Sequence, residues 1–312
     1  MSALLQLCYN HDCSHTKKLI FSRIVPIRIM RLIHSGKVKD VYDIDEKNIL
    51  FHFTDRVSAY DVPMITPIVG KGEILCKFAE FWFNLLRVKN HMIRLEGPNK
   101  MLVRRLNMIP IECVVRGYLY GSLYDRYKRG VLPHIESFEP NPQIASKLKW
   151  PIFDPTTKSN IHDRPISEKE ILNQQILEIK ELQDVKNTSI RLYNQMADLG
   201  DRSGFIIADV KFEFGRDPSN GQIILADSVG PDEFRVWLKS LYAPGIVQES
   251  YDKQYLRDWL TKIGFKDQVE MLGKNGSKPV PPRLPRTVVL ELLRRYLYVY
   301  ERISSTQRSS AS

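Results

Sequence analysis

The chain has 312 residues, 43% hydrophobic and 26% charged, so it reads as a soluble globular protein with room for one large or two ordinary domains. No apolar run reaches the ~20 residues that span a bilayer, which argues against an integral helical membrane protein. Lysine and arginine number 46 against 36 acids, a net charge of +10, and the lack of long single-sign blocks favours small anions over a nucleic-acid groove.

Residues 1–30 are basic, with Lys17, Lys18, Arg23 and Arg28 against Asp12 alone. Cys8, His11, Cys13 and His15 crowd too closely for the usual paired zinc ligands. The segment reads as a poorly ordered extension without a catalytic role; a transit peptide and a functional start at Met30 stay open. Cys76 and Cys113 sit in apolar segments, as buried reduced thiols of a cytoplasmic protein would.

Residues 32–42 and 48–53 are β-rich and flank a polar turn, the pattern of a hairpin. Gly36 would let backbone amides approach a phosphate, and Lys37 and Lys39 would share one strand face. This is no Walker loop, because G-x-x-x-x-G-K-[ST] is missing, and an ordinary Gly-Lys hairpin would look the same. Residues 55–61, DRVSAYD, fit either a binding loop or a structural ion-pair loop. Over residues 73–90, Ile74, Leu75, Phe78, Phe81, Trp82, Leu85 and Leu86 recur at helical spacing and form a core stripe.

Residues 101–107 read as a strand, and 109–122, IPIECVVRGYLYGS, as another that delivers Arg116 from an apolar run. A guanidinium there can fork onto a phosphate or carboxylate of a ligand, or satisfy a local acid such as Glu112. Gly121 and Ser122 precede a helical stretch whose first amides can receive an anion. Residues 131–150 are Pro-rich and irregular. Residues 151–159, PIFDPTTKS, put hydroxyls and Lys158 on a proline-fixed loop suited to carboxylates, with His162 just after it. Ser167 and Glu170 form a capping box that opens an interrupted helical region to about Leu199, a covering layer without chemistry.

Residues 205–214 and 222–227 flank Asp217-Pro218-Ser219-Asn220-Gly221 and read as a β-hairpin. Asp209, Lys211 and Glu213 alternate onto one face, with Ala208, Val210, Phe212 and Phe214 on the core face. Asp227 joins Glu213 only if the pairing register sums to an even number, for example with Lys211 or Glu213 opposite Asp227. Two such carboxylates beside a lysine suit Mg²⁺ and phosphate; a solvated hairpin face with surface ion pairs is the alternative. Residues 252–265 are amphipathic, 273–282 form a polar loop, and a last helix spans about 286–303 before a Ser-rich tail.

Ile207-Ala208-Asp209-Val210-Lys211-Phe212-Glu213-Phe214-Gly215 resembles a signature of the phosphoribosylaminoimidazole-succinocarboxamide synthase (SAICAR synthetase) family. Pro110, Glu112, Arg116, Gly121 and Ser122 match a second long motif, and residues 32–42, 55–61, 151–159 and 227–237 match shorter ones in family order. Two positions depart from many members: Tyr60 stands for Phe and Ser228 for Glu. The resemblance spans roughly 31–303 and implies an α+β fold related to ATP-grasp enzymes. It places a β-rich nucleotide lobe at 31–110, a larger α/β lobe at 111–303, ATP in the cleft between them, and a frayed tail at 304–312. The implied reaction is ATP-dependent amide formation between L-aspartate and carboxyaminoimidazole ribonucleotide, through an acyl phosphate, in de novo purine synthesis.

Carried over by position, the resemblance assigns ATP to Gly36, Lys37, Lys39 and Met108, and Mg²⁺ to Glu213 and Asp227. It assigns the chemistry to Lys211 and Asp209, and substrate binding to Arg116, Ser122, Lys158, Asp232 and Arg235, with Lys158 placing aspartate. The implied partners are small molecules rather than nucleic acid or membrane, and homo-oligomerisation stays open. A related phosphotransferase or ligase with another substrate, and a non-catalytic nucleic-acid binder, are the rival readings.

Overall fold

The computed structural model of the chain describes residues 30–132, 136–158 and 163–311. The expectations for Cys8, His11, Cys13, His15 and the rest of residues 1–29, and those for Ser159 and His162, lie outside the described residues.

The fold begins with three short strands, β1 (Arg31–Ser35), β2 (Lys39–Asp43) and β3 (Asn48–Phe53). The first run therefore divides in two, because the chain turns at Gly36, whose N–H donates to Lys39 O at 2.8 Å. Lys37 lies in that turn, so it does not share a strand face with Lys39 as expected. Asp45 Oδ1 accepts from the amides of Lys47 and Asn48 at 2.8 Å each and fixes the next turn. A small ribbon, β4 (Ser58–Ala59) and β5 (Val62–Pro63), turns through Tyr60 and Asp61, both at positive φ. Helix α1 (Lys71–Leu85) then buries Ile74, Leu75, Phe78 and Trp82, the expected stripe. Strands β6 (Met92–Gly97) and β7 (Lys100–Arg104) complete a five-stranded antiparallel sheet in the order β1-β2-β3-β7-β6.

The second sheet is built from β8 (Asn107–Met108), β9 (Ile111–Tyr118), β10 (Lys147–Phe153) and β11 (Thr156–Thr157), with helix α2 (Ser122–Lys128) after β9. β10 starts inside the stretch expected to be irregular; it pairs with β9 despite Pro151, at the sheet margin where a missing amide is tolerated. Helix α3 (Glu168–Asn173) carries the Ser167–Glu170 capping box, and α4 (Ile179–Arg202) follows after a break. α4 lays Leu182, Val185, Leu192, Tyr193, Met196 and Leu199 over the sheet. The hairpin of β12 (Phe205–Arg216) and β13 (Ile223–Ala226) comes next, then β14 (Phe234–Leu238). β12 is the spine of this seven-stranded sheet and pairs antiparallel with β8, β9, β13 and β14.

Helices α5 (Gln254–Lys262), α6 (Phe265–Gly273) and α7 (Arg286–Ala311) close the fold. α6 occupies a stretch for which no helix was expected, since Phe265 is its only fully buried side chain. α7 runs on past Ser304 through the segment expected to fray. Its Val288, Leu292, Tyr296, Val299 and Ile303 recur every three to four residues and are buried in the shared core. The two sheets meet where Asn90 bridges Leu225 in parallel, with amide bonds of 3.0 Å on either side.

Candidate active site

The candidate site grows from β12. Its pairing with β14 slips between Ile207 and Asp209, a β-bulge that breaks the side-chain alternation. Ala208 consequently packs with Ile206, Tyr118 and Trp237 in a second cluster, not with Val210 and Phe212 as expected. Tyr193 of α4 donates its hydroxyl to Ile207 O at 2.9 Å, at the slip. Beyond the bulge Asp209, Lys211 and Glu213 share the face opposite the core residues Val210, Phe212 and Phe214.

Asp209 is 5% exposed and stands between two arginines. Arg235 Nη1 donates to Asp209 Oδ2, and Arg116 Nη1 lies 3.6 Å from the same oxygen. Arg116 also donates from Nε to Asp154 Oδ2 at 2.5 Å and from Nη2 to Ser122 Oγ at 3.0 Å. Arg126 of α2 reaches Asp154 too, at 2.5 Å. Burial opposes the charge of Asp154, but the two arginines outweigh it and hold its carboxyl below the usual range. Arg116 is thus satisfied by Asp154 and Asp209, while Glu112, the local acid considered for it, serves Lys211. Arg235 Nε is buried without a hydrogen-bond partner among the described residues.

Gly121 makes this arrangement fit. Its φ is +55°, and a Cβ there would lie 2.7 Å from Arg235 Nη2. The backbone passes so close to the guanidinium that any Cβ there would displace it.

Lys211 Nζ donates to Glu112 Oε1 at 2.7 Å and to Glu213 Oε1 at 3.2 Å. Thr156 Oγ1 holds the other oxygen of Glu112 at 2.9 Å. Lys158 Nζ pairs with Glu213 Oε2. Burial would lower both lysines, yet the surrounding carboxylates, Glu213 first, raise them, so both stay charged.

Asp227 reaches this cluster by an unexpected route. Glu213 pairs with Ala226, one residue off the registers that would align Asp227 by alternation. Asp227 adopts φ +59°, which ends the strand and swings its carboxylate back among the lysines. Lys39 Nζ sits 2.5 Å from Asp227 Oδ1 and 2.9 Å from Ser228 Oγ, and it lies over the Phe51 ring at 5.0 Å. Burial opposes the Asp227 charge, but Lys39, Lys158 and Lys211 outweigh it and drive the carboxyl well below its ordinary value.

The remaining expected residues lie around this group. The Gly36 carbonyl accepts from Arg56 Nη2 at 3.0 Å. Lys37 is half exposed and pairs with Asp61. Arg56 in turn clasps Asp40 with both nitrogens, so the 55–61 segment carries a structural ion pair. Met108 pairs with Gly215 across β8 and β12 and is 42% exposed. The side chain of Asp232 does not join Asp209. It is buried with Lys71 Nζ at 2.9 Å, Lys253 Nζ at 3.5 Å and the Tyr296 hydroxyl, which donates at 2.6 Å.

Several participants were not singled out from the sequence. Asp154, Arg126 and Lys71 find partners 28 to 161 residues away. Glu233 follows Asp232, and its carbonyl accepts from Lys211 N at 2.8 Å. Burial, with repulsion from Asp232, pushes its carboxyl up to about 8 against the pull of Lys39 and Lys211.

Among the described residues no group of three or more His, Cys, Asp or Glu could hold a metal unaided. Mg²⁺ needs less, because it keeps several waters and binds through one or two carboxylates together with substrate phosphates. Glu213 and Asp227, both beside Lys158, offer the hard oxygen donors that fit such an ion.

The profile of the SAICAR synthetase family matches residues 32–272. A phosphoribosylaminoimidazole-succinocarboxamide synthase of Nitrosopumilus maritimus is 49% identical over 275 residues, 88% of this chain and 98% of that protein. SAICAR synthase of Saccharomyces cerevisiae, solved with SAICAR, superposes with a TM-score of 0.75 at 32% identity, covering 90% of this chain and 96% of that one. A SAICAR synthetase solved with ADP reaches a TM-score of 0.65 at 26% identity, covering 87% and 97%. Fold and relatives together define an ATP-dependent ligase. The chain belongs to the SAICAR synthetase family.

Proposed function

We propose that the chain catalyses the ATP-dependent ligation that forms SAICAR in purine biosynthesis, joining L-aspartate to carboxyaminoimidazole ribonucleotide with release of ADP and phosphate. The observation that carries this reading is the convergence of Glu213, Asp227, Lys39, Lys158 and Lys211 where the two sheets meet, beside the Arg116–Asp209–Arg235 clasp.

A carboxylate is a poor acyl donor because its oxygen will not leave. One of its oxygens attacks the γ-phosphorus of ATP, the bond to the β-phosphate oxygen breaks, and ADP departs. The aspartate amine then attacks the acyl carbon of the mixed anhydride. Phosphate leaves with the bonding pair, and the amine gives up a proton. Such chemistry calls for positioning and charge neutralisation more than for a side-chain nucleophile.

Lys39 holds the ATP phosphates, with Gly36 and Lys37 in the turn before it and Met108 bordering the nucleotide. Residues 31–110 act as the nucleotide lobe and 111–303 as the substrate and metal lobe, with ATP in the cleft between them. Arg116, Ser122 and Arg235 hold the ribonucleotide. Asp209 orients the two guanidiniums. Lys211 meets the transferring phosphoryl group or the carboxylate it joins. Lys158 places aspartate, and Asp232 serves the substrate side by fixing the turn that leads into β14 and Arg235. Glu213 and Asp227 would hold Mg²⁺, which when bound neutralises phosphate charge.

Among the described residues no helix is long and apolar enough to cross a membrane. A cytoplasmic setting fits the buried free thiols of Cys76 and Cys113. The decisive assay is ADP release with ATP and Mg²⁺, omitting aspartate or the imidazole carboxylate in turn. Sustained turnover should require both. Equal turnover without the ribonucleotide would overturn the assignment.

A further inference from the structure

We propose that His91 is a positioning residue for the Asp227 carboxylate, acting through the Asp227 backbone. The inference rests on the reading of Asp227 as a Mg²⁺ ligand. His91 lies between α1 and β6 and is 2% exposed. Its Nε2 is 3.1 Å from the Asp227 carbonyl oxygen. A carbonyl oxygen only accepts, so Nε2 must carry the hydrogen, which fixes the tautomer. The rings of Phe51 and Phe83 meet the imidazole edge-on at 5.4 Å each and hold it in place. The main chain of His91 is tied as well: its N–H donates to Leu225 O at 3.0 Å, and its carbonyl accepts from Arg104 N at 2.8 Å.

These bonds converge on the residue that needs them. Asp227 has φ +59°, a conformation L-residues with a Cβ rarely adopt and keep only where their surroundings impose it. Without that turn, the observed register would send the Asp227 side chain to the core face that Phe212 occupies. The imidazole bond pins the carbonyl on the far side of the turned residue, and so fixes where its carboxylate emerges. Phe51 closes the ring of contacts, because the same aromatic that packs on His91 also supports Lys39, the cation on Asp227. His91 is thus an outer partner of a metal ligand, reaching it through the peptide rather than through the carboxylate.

The test is a calorimetric titration of Mg²⁺ into the ADP complex of the full chain. His91→Phe keeps a ring but removes the donor, while His91→Gln places an amide N–H near the position of Nε2. His91→Phe should weaken Mg²⁺ about tenfold, with the metal-free ADP affinity unchanged, and His91→Gln should recover most of the loss. Asp227→Asn separates the two readings. If it binds Mg²⁺ as tightly as the unaltered protein, the metal assignment fails and the inference falls with it. If it loses Mg²⁺ while His91→Phe retains full affinity, the role of His91 alone is overturned. Should His91→Phe not fold, long-range proton–nitrogen correlation spectra of the unaltered protein decide: a proton on Nδ1 instead of Nε2 removes the hydrogen bond and the proposal.

Discussion

Lys39 and Asp227 stand 188 residues apart in the chain, yet their side chains meet at 2.5 Å, one from each sheet. Both are largely sheltered, and the lysine also has aromatic rings of Phe51 and Phe53 beneath it. Lys39→Met should keep the packing on those rings while removing the charge. The KM for ATP is expected to rise about tenfold or more, the size of one lost charge-assisted contact. Steady-state ADP release checks it, and an unaltered KM would remove Lys39 from the nucleotide site.

Glu213→Gln keeps shape but gives up the carboxylate whose two oxygens pair separately with Lys158 and Lys211. Turnover should fall by about 100-fold, within the range for losing one preorganised electrostatic contact. Circular dichroism should show an intact fold. Full activity would dismiss the carboxylate as a metal ligand.

Gly121→Ala would drive a methyl group toward Arg235 Nη2 at a residue already at φ +55°. The guanidinium must give way, and small misplacements at a binding group are costly. The KM for the ribonucleotide should rise about tenfold while the KM for ATP stays level. Matching increases in both would point to a general structural defect.

Lys71 is fully buried against Asp232. Lys71→Met should destabilise the fold by about 1–3 kcal/mol, because Asp232 loses its nearest cation and keeps only Lys253 at 3.5 Å and the Tyr296 hydroxyl. Adding Asp232→Asn should recover part of that loss. Urea unfolding of the single and double variants gives the answer, and a cost below about 1 kcal/mol would show the pair to be incidental.

Glu233 makes a prediction in pH. An unfolded glutamate titrates near ~4.3, whereas burial and Asp232 push the folded group up to about 8. Between those values the folded protein holds a proton that the unfolded chain has released, so this contribution to stability falls as pH rises. The lowered Lys253, at about 8, acts above that window. Glu233→Gln should therefore flatten the decline in melting temperature from about pH 5 to pH 8. Parallel profiles for the two proteins would refute it.

Much of the architecture could be read from local pattern. The α1 stripe, the Ser167 capping box and the β12–β13 hairpin all follow from periodicity and turn chemistry. The failures share a cause. The bulge at Ala208 and the left-handed Asp227 are single-residue events that shift which face a side chain takes, and simple alternation does not encode them. The pairing of Lys71 with Asp232 and the contact of His91 with Asp227 span more than a hundred residues, so only the folded sheets bring them together. Asp209 shows the same limit from the other side. Its place on the working face was legible, but its two arginine partners come from strands that a hairpin reading does not contain.

Tyr193 gives the cover helix more than a sheltering role. Its hydroxyl is fastened to the carbonyl of Ile207, at the one place where β12 changes step. Helix α4 thereby acts as a pawl on the strand, stopping it from slipping back a notch and turning the wrong row of side chains to the face that carries Asp209, Lys211 and Glu213. Protein engineers who treat α4 as a neutral surface for redesign would be adjusting the timing of the whole reactive face.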